Sequence, residues 1–443
     1  MRPERKILAG FLLASFLLAS PPIPAMGQAS VKNQPVRAAA IDPDPLVQAM
    51  IDQVNPQAIY NLTGDLSGEW PVTIAGQAYT IETRYTFSDE PIRKVAAYLY
   101  EYYQGLGLGV SYQDFTFGST SLSNVVAEKP GSVFPERVLL ITSHYDDVPN
   151  KPPAPGADDN ASGTVGVMLA AKILSDYDFG CTLRFVNFAA EEQGLAGSRH
   201  YAQQAYCAGE DLRGVINLDM IGWNTPGSPA EMELHAHPSV AGSVDLANIY
   251  REVVTTYGLQ LDPQPGSPVT DASDHASFWR YGIPAILAIE DLDDFNPYYH
   301  TANDRLEHLD LAYNAEMVKA SLATLAHLGC LVGEGWGTIA GRISDAITGQ
   351  PIADASIALF NPAWGYSFYT ASNGKGEYSQ AVLAGAHTLT FDAIGYAPVI
   401  LANVTVSKDQ TTVHDTTLVP TEESINYLAL VGAGVAAPLP GCP

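Results

Sequence analysis

The stretch RVLLITSHYDD, residues 137–147, begins as an apolar run and turns abruptly to a histidine and two aspartates. Its apolar part reads as a short buried strand. His144 stands just past that strand, with Asp146 two residues on. The same arrangement recurs down the chain. LRFVNFAA (183–190) is followed by Glu191 and Glu192, GVINLDMIG (214–222) carries Asp219, and PAILAIE (284–290) leads into NPYYHTANDRL with His300. Helical patterns over 162–175, 194–206, 240–258 and 309–329 follow these runs. Strands alternating with helices predict an α/β domain over 44–332, with a mainly parallel sheet flanked by helices on both faces. Residues 90–107 add an amphipathic helix that ends at glycine.

The whole chain has 443 residues and a formal net charge of −26, which argues against a nucleic-acid or anionic-membrane partner. Its first residues pair Arg2, Arg5 and Lys6 with an apolar run over 7–19, followed by prolines and the small residues Ala25 and Gly27. The run is short for a membrane span, and the pattern is that of a secretory signal over 1–27. Residues 28–43 read as a leader or propeptide, so the protein is expected to be exported. Four cysteines, at 181, 207, 330 and 442, allow three connectivities. Cys181 opens a strand and Cys207 closes the next helix, which favours that pair without settling it.

In a parallel sheet, ligands collect beyond the carboxyl ends of the strands. Here those ends carry the acidic and imidazole side chains. A further loop, APGADDNASG (154–163), sets Asp158 and Asp159 side by side between glycines. Carboxylates so close repel, unless something doubly positive lies in front of them. The calcium-loop spacing is absent from this stretch. Asp219, inside an apolar run, would be buried and unpaired unless a cation or donor meets it. Each of these strand ends or loops thus carries an oxygen or imidazole donor of the kind a metal site uses. No C-x-x-C pair is present, which argues against a thiolate site.

The motifs H-x-D, P-G-A-D-D-x-A-S-G, A-x-E-E-x-G-L-x-G-S, x-L-D-M, S-D-H-A-S-F and H-T-x-x-D occur in this order over residues 137–310. As a set they resemble the dizinc exopeptidases of the bacterial leucyl aminopeptidase type, which are related to glutamate carboxypeptidase. The resemblance implies two zinc ions per chain, with manganese or cobalt as possible substitutes. It implies that Asp158 bridges the ions, that His144 and Asp219 complete one site, and that Glu192 and His300 complete the other. Glu191 would be the general base, and Tyr299 would hydrogen-bond the developing oxyanion. Asp146 would accept the second imidazole N–H of His144, and Asp159 would shape the loop, with a cis peptide between the two aspartates. Asp274 and His275 match a motif that supports the substrate pocket, although Ala272 stands where some relatives carry arginine. His235 and His237, in ELHAHP, read as a solvated strand edge, and Asn160 lies in a sequon unsuited to a glycan.

Beyond GEGWG (333–337) the pattern becomes alternating and turn-rich, predicting an all-β module of about seven strands over 337–420. Its stretches GRISDAITGQPIADASIAL and SNGKGEYSQAVLAGAHTLTFDAIGYAP resemble the carboxypeptidase regulatory-like β-sandwich family. An apolar tail covers 421–443. The expected activity is removal of N-terminal residues from peptide or protein substrates. The alternatives are a carboxypeptidase or a single-zinc glutaminyl cyclase on the same fold, and a noncatalytic binding ectodomain. The sequence does not indicate an oligomeric state.

Overall fold

The computed structural model describes residues 41–148, 153–332, 335–362 and 366–421. The expected signal, all but the last residues of the leader, and the tail beyond 421 lie outside them. The chain enters through two helices that the sequence pattern did not reveal, α1 (Pro45–Ile51) and α2 (Pro56–Ser67). Each begins with proline in its first turn behind a capping Asp44 or Asn55, whose side chain accepts backbone N–H groups. A small hairpin, β1 (Val72–Ile74) and β2 (Gln77–Tyr79), precedes α3 (Glu90–Gly105), which buries Ile92, Val95, Ala96, Leu99 and Tyr103.

The α/β core follows as β3 (Gly109–Phe117), β4 (Thr120–Lys129), β5 (Phe134–His144), α4 (Gly163–Leu174), β6 (Cys181–Phe188), α5 (Ala196–Ala208) and β7 (Asp211–Leu218). It continues with β8 (Glu231–Ala236), α6 (Ser243–Thr256), β9 (Asp262–Pro265), α7 (His275–Trp279), β10 (Ala285–Glu290) and α8 (Leu311–Leu328). These strands form one eight-stranded sheet in the order β3-β4-β6-β5-β7-β10-β8-β9. The four central strands β6, β5, β7 and β10 are parallel, as the apolar runs predicted. The flanks are not. β4 meets β6 antiparallel, β3 pairs antiparallel with β4, and β8 runs against β10, so the sheet is mixed. The helices α4 and α8 bury most of their length against the sheet, consistent with their nearly all-apolar composition.

A disulfide joins Cys181, at the start of β6, to Cys330, just past α8, with Cα atoms 5.5 Å apart. The favoured Cys181–Cys207 pair is therefore not formed, although Cys207 too is disulfide-bonded. Cys330 leaves α8 directly beside the strand that Cys181 opens, whereas Cys207 ends a helix packed on the other part of that strand. Closing a span of 149 residues, the bond is worth about 5 kcal/mol in the chain-entropy account.

Residues 336–418 form two four-stranded sheets: β14-β11-β17 with β18 also on β11, and β13-β12-β15-β16. The strands are β11 (Trp336–Asp345), β12 (Ser356–Asn361), β13 (Tyr366–Ala371), β14 (Glu377–Leu383), β15 (Gly385–Asp392), β16 (Val399–Val406), β17 (Thr411–Val413) and β18 (Thr416–Leu418). A separate core of Ile339, Ile343, Ile357, Leu359, Leu389 and Phe391 lies between the sheets. Val133 packs against this core as well as the α/β core, and the Phe134 ring lies 6.5 Å from that of Phe368. A chain ending at Gly335 is expected to keep a single cooperative heat transition, because the two cores are separate clusters, with Val133 packed on both. Calorimetry showing a broad, noncooperative melt for that chain would mean the two cores fold as one.

Candidate metal centre

The central strands end together, and their carboxyl ends carry the donors. His144 closes β5. Glu191 and Glu192 stand just beyond β6, Asp219 follows β7 directly, and His300 lies on the loop after β10. The backbone turns sharply at these points. Ala190, Met220 and His300 have φ of +57°, +48° and +58°. A left-handed conformation costs a non-glycine residue about 1–2 kcal/mol. Such outliers gather where the surrounding structure fixes side chains for a task.

Two donor trios result: His144, Asp159 and Asp219, and Asp159, Glu192 and His300, each with its donor atoms within 4.8 Å of one another. Asp159 belongs to both. Its Oδ1 lies 3.4 Å from His144 Nε2, and its Oδ2 lies 3.1 Å from His300 Nε2. Asp219 Oδ1 is 3.2 Å from the same His144 nitrogen, and Glu192 Oε2 is 3.1 Å from that of His300. One carboxylate thus presents an oxygen to each trio.

This reverses the expected division between the adjacent aspartates. Asp158 turns inward, where Oδ1 accepts from Gly222 N at 2.8 Å and Oδ2 from Asn296 Nδ2 at 2.9 Å. Burial pushes its pKa up, and burial together with the neighbouring Asp158 carboxylate does the same to Glu290. The backbone explains the exchange. Asp159 and Asn160 leave helical geometry, at φ/ψ of −102°/94° and −130°/51°, and this swings the Asp159 side chain to the opposite side of the loop from Asp158. The cis peptide joins Asp159 to Asn160 rather than the two aspartates. Asn160 is fully buried, with Nδ2 donating to Leu218 O at 2.9 Å.

Asp146 sits beneath His144, but its part differs from the expected one. The backbone carbonyl lies 3.2 Å from His144 Nδ1, while the carboxylate is 3.8 Å away. That carboxylate instead accepts from Thr86 Oγ1 at 2.7 Å and from Glu191 N at 3.1 Å. One residue therefore orients the imidazole and anchors the backbone of Glu191. The Glu191 carboxyl belongs to neither trio, and burial pushes its pKa well above the usual range. Tyr299 stacks on His300, with ring centroids 3.6 Å apart, and is 38% exposed at the site's edge.

Burial draws His144 down, yet the facing Asp219 and Glu191 carboxylates hold it well above the ordinary histidine range. His300 behaves alike: burial opposes, while its contacts with Asp159 and Glu192 lift it to about 10. Burial and the neighbouring Glu192 push Asp159 well up. Among the described residues, buried Glu192 Oε1 and His300 Nε2 have no hydrogen-bond partner. Lone pairs converging at this range, with orphaned atoms among them, fit divalent cations bound through nitrogen and oxygen.

Several supporting residues carried no role in the sequence reading. The Asp304 carboxylate receives the N–H groups of both Asp158 and Asp159, at 2.9–3.1 Å. Its motif, H-T-x-x-D, was visible, but its role was not. Arg84, wholly buried, donates to the carbonyls of Leu66, Tyr145, Pro155 and Gly156. It also pairs with buried Asp147 at 3.8 Å. Ser273 Oγ donates to Asp219 Oδ2 at 2.6 Å. His235 is buried on the interior strand β8 rather than on a solvated edge, and His237 lies just past it against Trp279.

Residues 124–325 match peptidase family M28, and residues 338–419 match the carboxypeptidase regulatory-like domain. A probable leucine aminopeptidase of Trichophyton verrucosum is 31% identical over 216 residues, covering 46% of this chain and 55% of that protein. A probable aminopeptidase of Saccharomyces cerevisiae is 29% identical over 221 residues, covering 46% and 57%. The chain spans about half the length of the curated relatives it matches. Among solved structures, the Legionella pneumophila LapA aminopeptidase superposes with a TM-score of 0.53 at 22% identity, covering 64% of this chain and 74% of that one. A zinc aminopeptidase from Bacillus subtilis gives 0.52 at 17%, covering 62% and 95%. At these identities the superpositions establish the α/β fold.

Proposed function

From the match of residues 124–325 to peptidase family M28, we propose that this chain is an exported, two-zinc aminopeptidase that releases N-terminal residues from peptides. The observation that carries the reading is the Asp159 carboxylate, which offers one oxygen to each of two donor trios. The related proteins named as leucine aminopeptidases support the reaction class. Export is supported by the basic and apolar leader over residues 2–19 and by a disulfide in the core.

His144, Asp159 and Asp219 would hold one ion, and Asp159, Glu192 and His300 the other. Paired zinc supplies Lewis acidity toward the scissile carbonyl and acidifies water at neutral pH. Glu191 takes the proton from the attacking water on its carboxylate and returns it to the leaving amine. Its burial suits it to both transfers, since a raised pKa makes the carboxylate a stronger base. Asp146 holds the Glu191 backbone in place through its N–H and orients His144 through its carbonyl. The Tyr299 hydroxyl, held at the edge of the site by the stack on His300, donates to the oxygen that gains charge.

The purified chain is expected to carry two zinc ions, and a chelator to remove both hydrolysis and metal. Elemental analysis combined with a panel of free and N-blocked aminoacyl substrates tests this. One tightly held ion, unchanged by added zinc, would favour the single-zinc cyclase reading. Turnover of blocked substrates only would turn the reading toward a carboxypeptidase.

A further inference from the structure

The loop over 266–274, between β9 and α7, is held from two sides at one residue. Thr270 N donates to His235 Nδ1 at 3.2 Å, and Thr270 O lies 3.1 Å from His275 Nε2. Both histidines are wholly buried. The bonds fix their protons. His235 accepts at Nδ1, so its proton is on Nε2, which faces Glu233 at 2.9 Å. His275 must carry its proton on Nε2 to meet a carbonyl. Gly266 completes the clamp, because a Cβ there would lie 2.2 Å from His235 Nδ1.

Three residues beyond Thr270, Ser273 stands at the end of a directed chain of hydrogen bonds. Thr142 Oγ1 donates to Asn217 Oδ1 at 2.8 Å, and Asn217 Nδ2 donates to Ser273 Oγ at 2.8 Å. With its lone pair occupied, the Ser273 hydroxyl points its proton at Asp219 Oδ2, 2.6 Å away. The other oxygen, Oδ1, is left to face His144. Nothing comparable touches Glu192, whose Oε1 has no hydrogen-bond partner among the described residues.

We propose that His235 and His275, by clamping Thr270, act as positioning residues that seat Ser273 on Asp219. They thereby strengthen the hold of the His144–Asp159–Asp219 trio on its ion and leave the Asp159–Glu192–His300 trio unaffected. This rests on the two-metal reading. Partners that orient a ligand are typically worth 10–100-fold in metal affinity, and here that benefit falls on one site of two.

The test is a zinc titration of the full chain against a chromophoric chelator. Wild type is expected to show two binding steps. Ser273→Ala and His275→Leu are each expected to weaken one step by about 10–100-fold and leave the other in place. His275→Gln, whose amide can still donate to Thr270 O, is expected to restore the wild-type titration. In a Glu192→Ala background, where the Asp219 trio alone keeps its donors, Ser273→Ala should weaken the remaining step by the same factor. Equal weakening of both steps, or an unmoved titration with either Ser273→Ala or His275→Leu, overturns the proposal. Should His275→Leu not fold, His235→Leu is read in its place, with one weakened step expected and an unmoved titration overturning the proposal. A wild type with one step refutes the two-metal reading itself, a result distinct from two steps that Ser273→Ala leaves unmoved.

Discussion

Asp159→Asn is expected to release both metal ions and abolish measurable hydrolysis, whereas Asp158→Asn keeps both ions. The substitution changes charge with little change in volume, so it isolates what the carboxylate does. Asp159 is the one side chain common to the two donor trios, and without its charge each trio retains only one imidazole and one carboxylate. The structural bond from Asp159 to Asp304 uses the backbone N–H and survives the change. Asp158 is engaged by Gly222 and Asn296 instead, so its replacement should be felt in folding stability. Removing a partner from a buried network of this kind costs about 1–3 kcal/mol. Metal content by elemental analysis, beside a thermal melt of each variant, checks both halves. Two bound ions in Asp159→Asn would remove the bridge from the mechanism.

Glu191→Gln should keep both ions and still lose most of its rate. Glu191 lies outside both trios, so its loss leaves the donor set intact. A positioned general base is worth about 10²–10⁴-fold, and the deficit should fall on kcat with KM nearly unchanged. Glu192→Ala should behave differently, because its oxygen lies against His300 in the second trio. There the loss of one ion and the loss of activity are expected together. Steady-state kinetics with metal analysis separates the two glutamates. If Glu191→Gln loses an ion while Glu192→Ala stays loaded, their roles are exchanged.

The central strands and their helices were legible because burial on both faces writes a continuous apolar run, and long helices write a 3.6-residue period. The antiparallel flanks were not. In β3, GVSYQDFTF mixes exposed and half-buried positions, and β9 is four residues long with two prolines. The residues that gather into the two candidate trios were readable at strand ends, but the choice between Asp158 and Asp159 was not. Spacing cannot separate neighbours whose backbone departs from the helix between them. Thr86 and Arg84, and the role of Ser273 within its S-D-H-A-S-F motif, were invisible for another reason. A serine, a threonine or an arginine carries no local pattern that marks it as buried, and their partners lie 54, 60 and 18 or more residues away.

Arg84 also redraws the limits of the working unit. The family resemblance starts at residue 124, yet this guanidinium gathers the end of α2, the carbonyl next to His144 and the approach to the Asp158–Asp159 loop around a single cation. Thr86, on the same segment, reaches Asp146. The forty or so residues ahead of the family segment are thus an internal scaffold: they set the angle at which two ligand-bearing loops meet. A domain cut at the edge of sequence similarity would keep every member of the two candidate trios and discard the keystone that holds them in register.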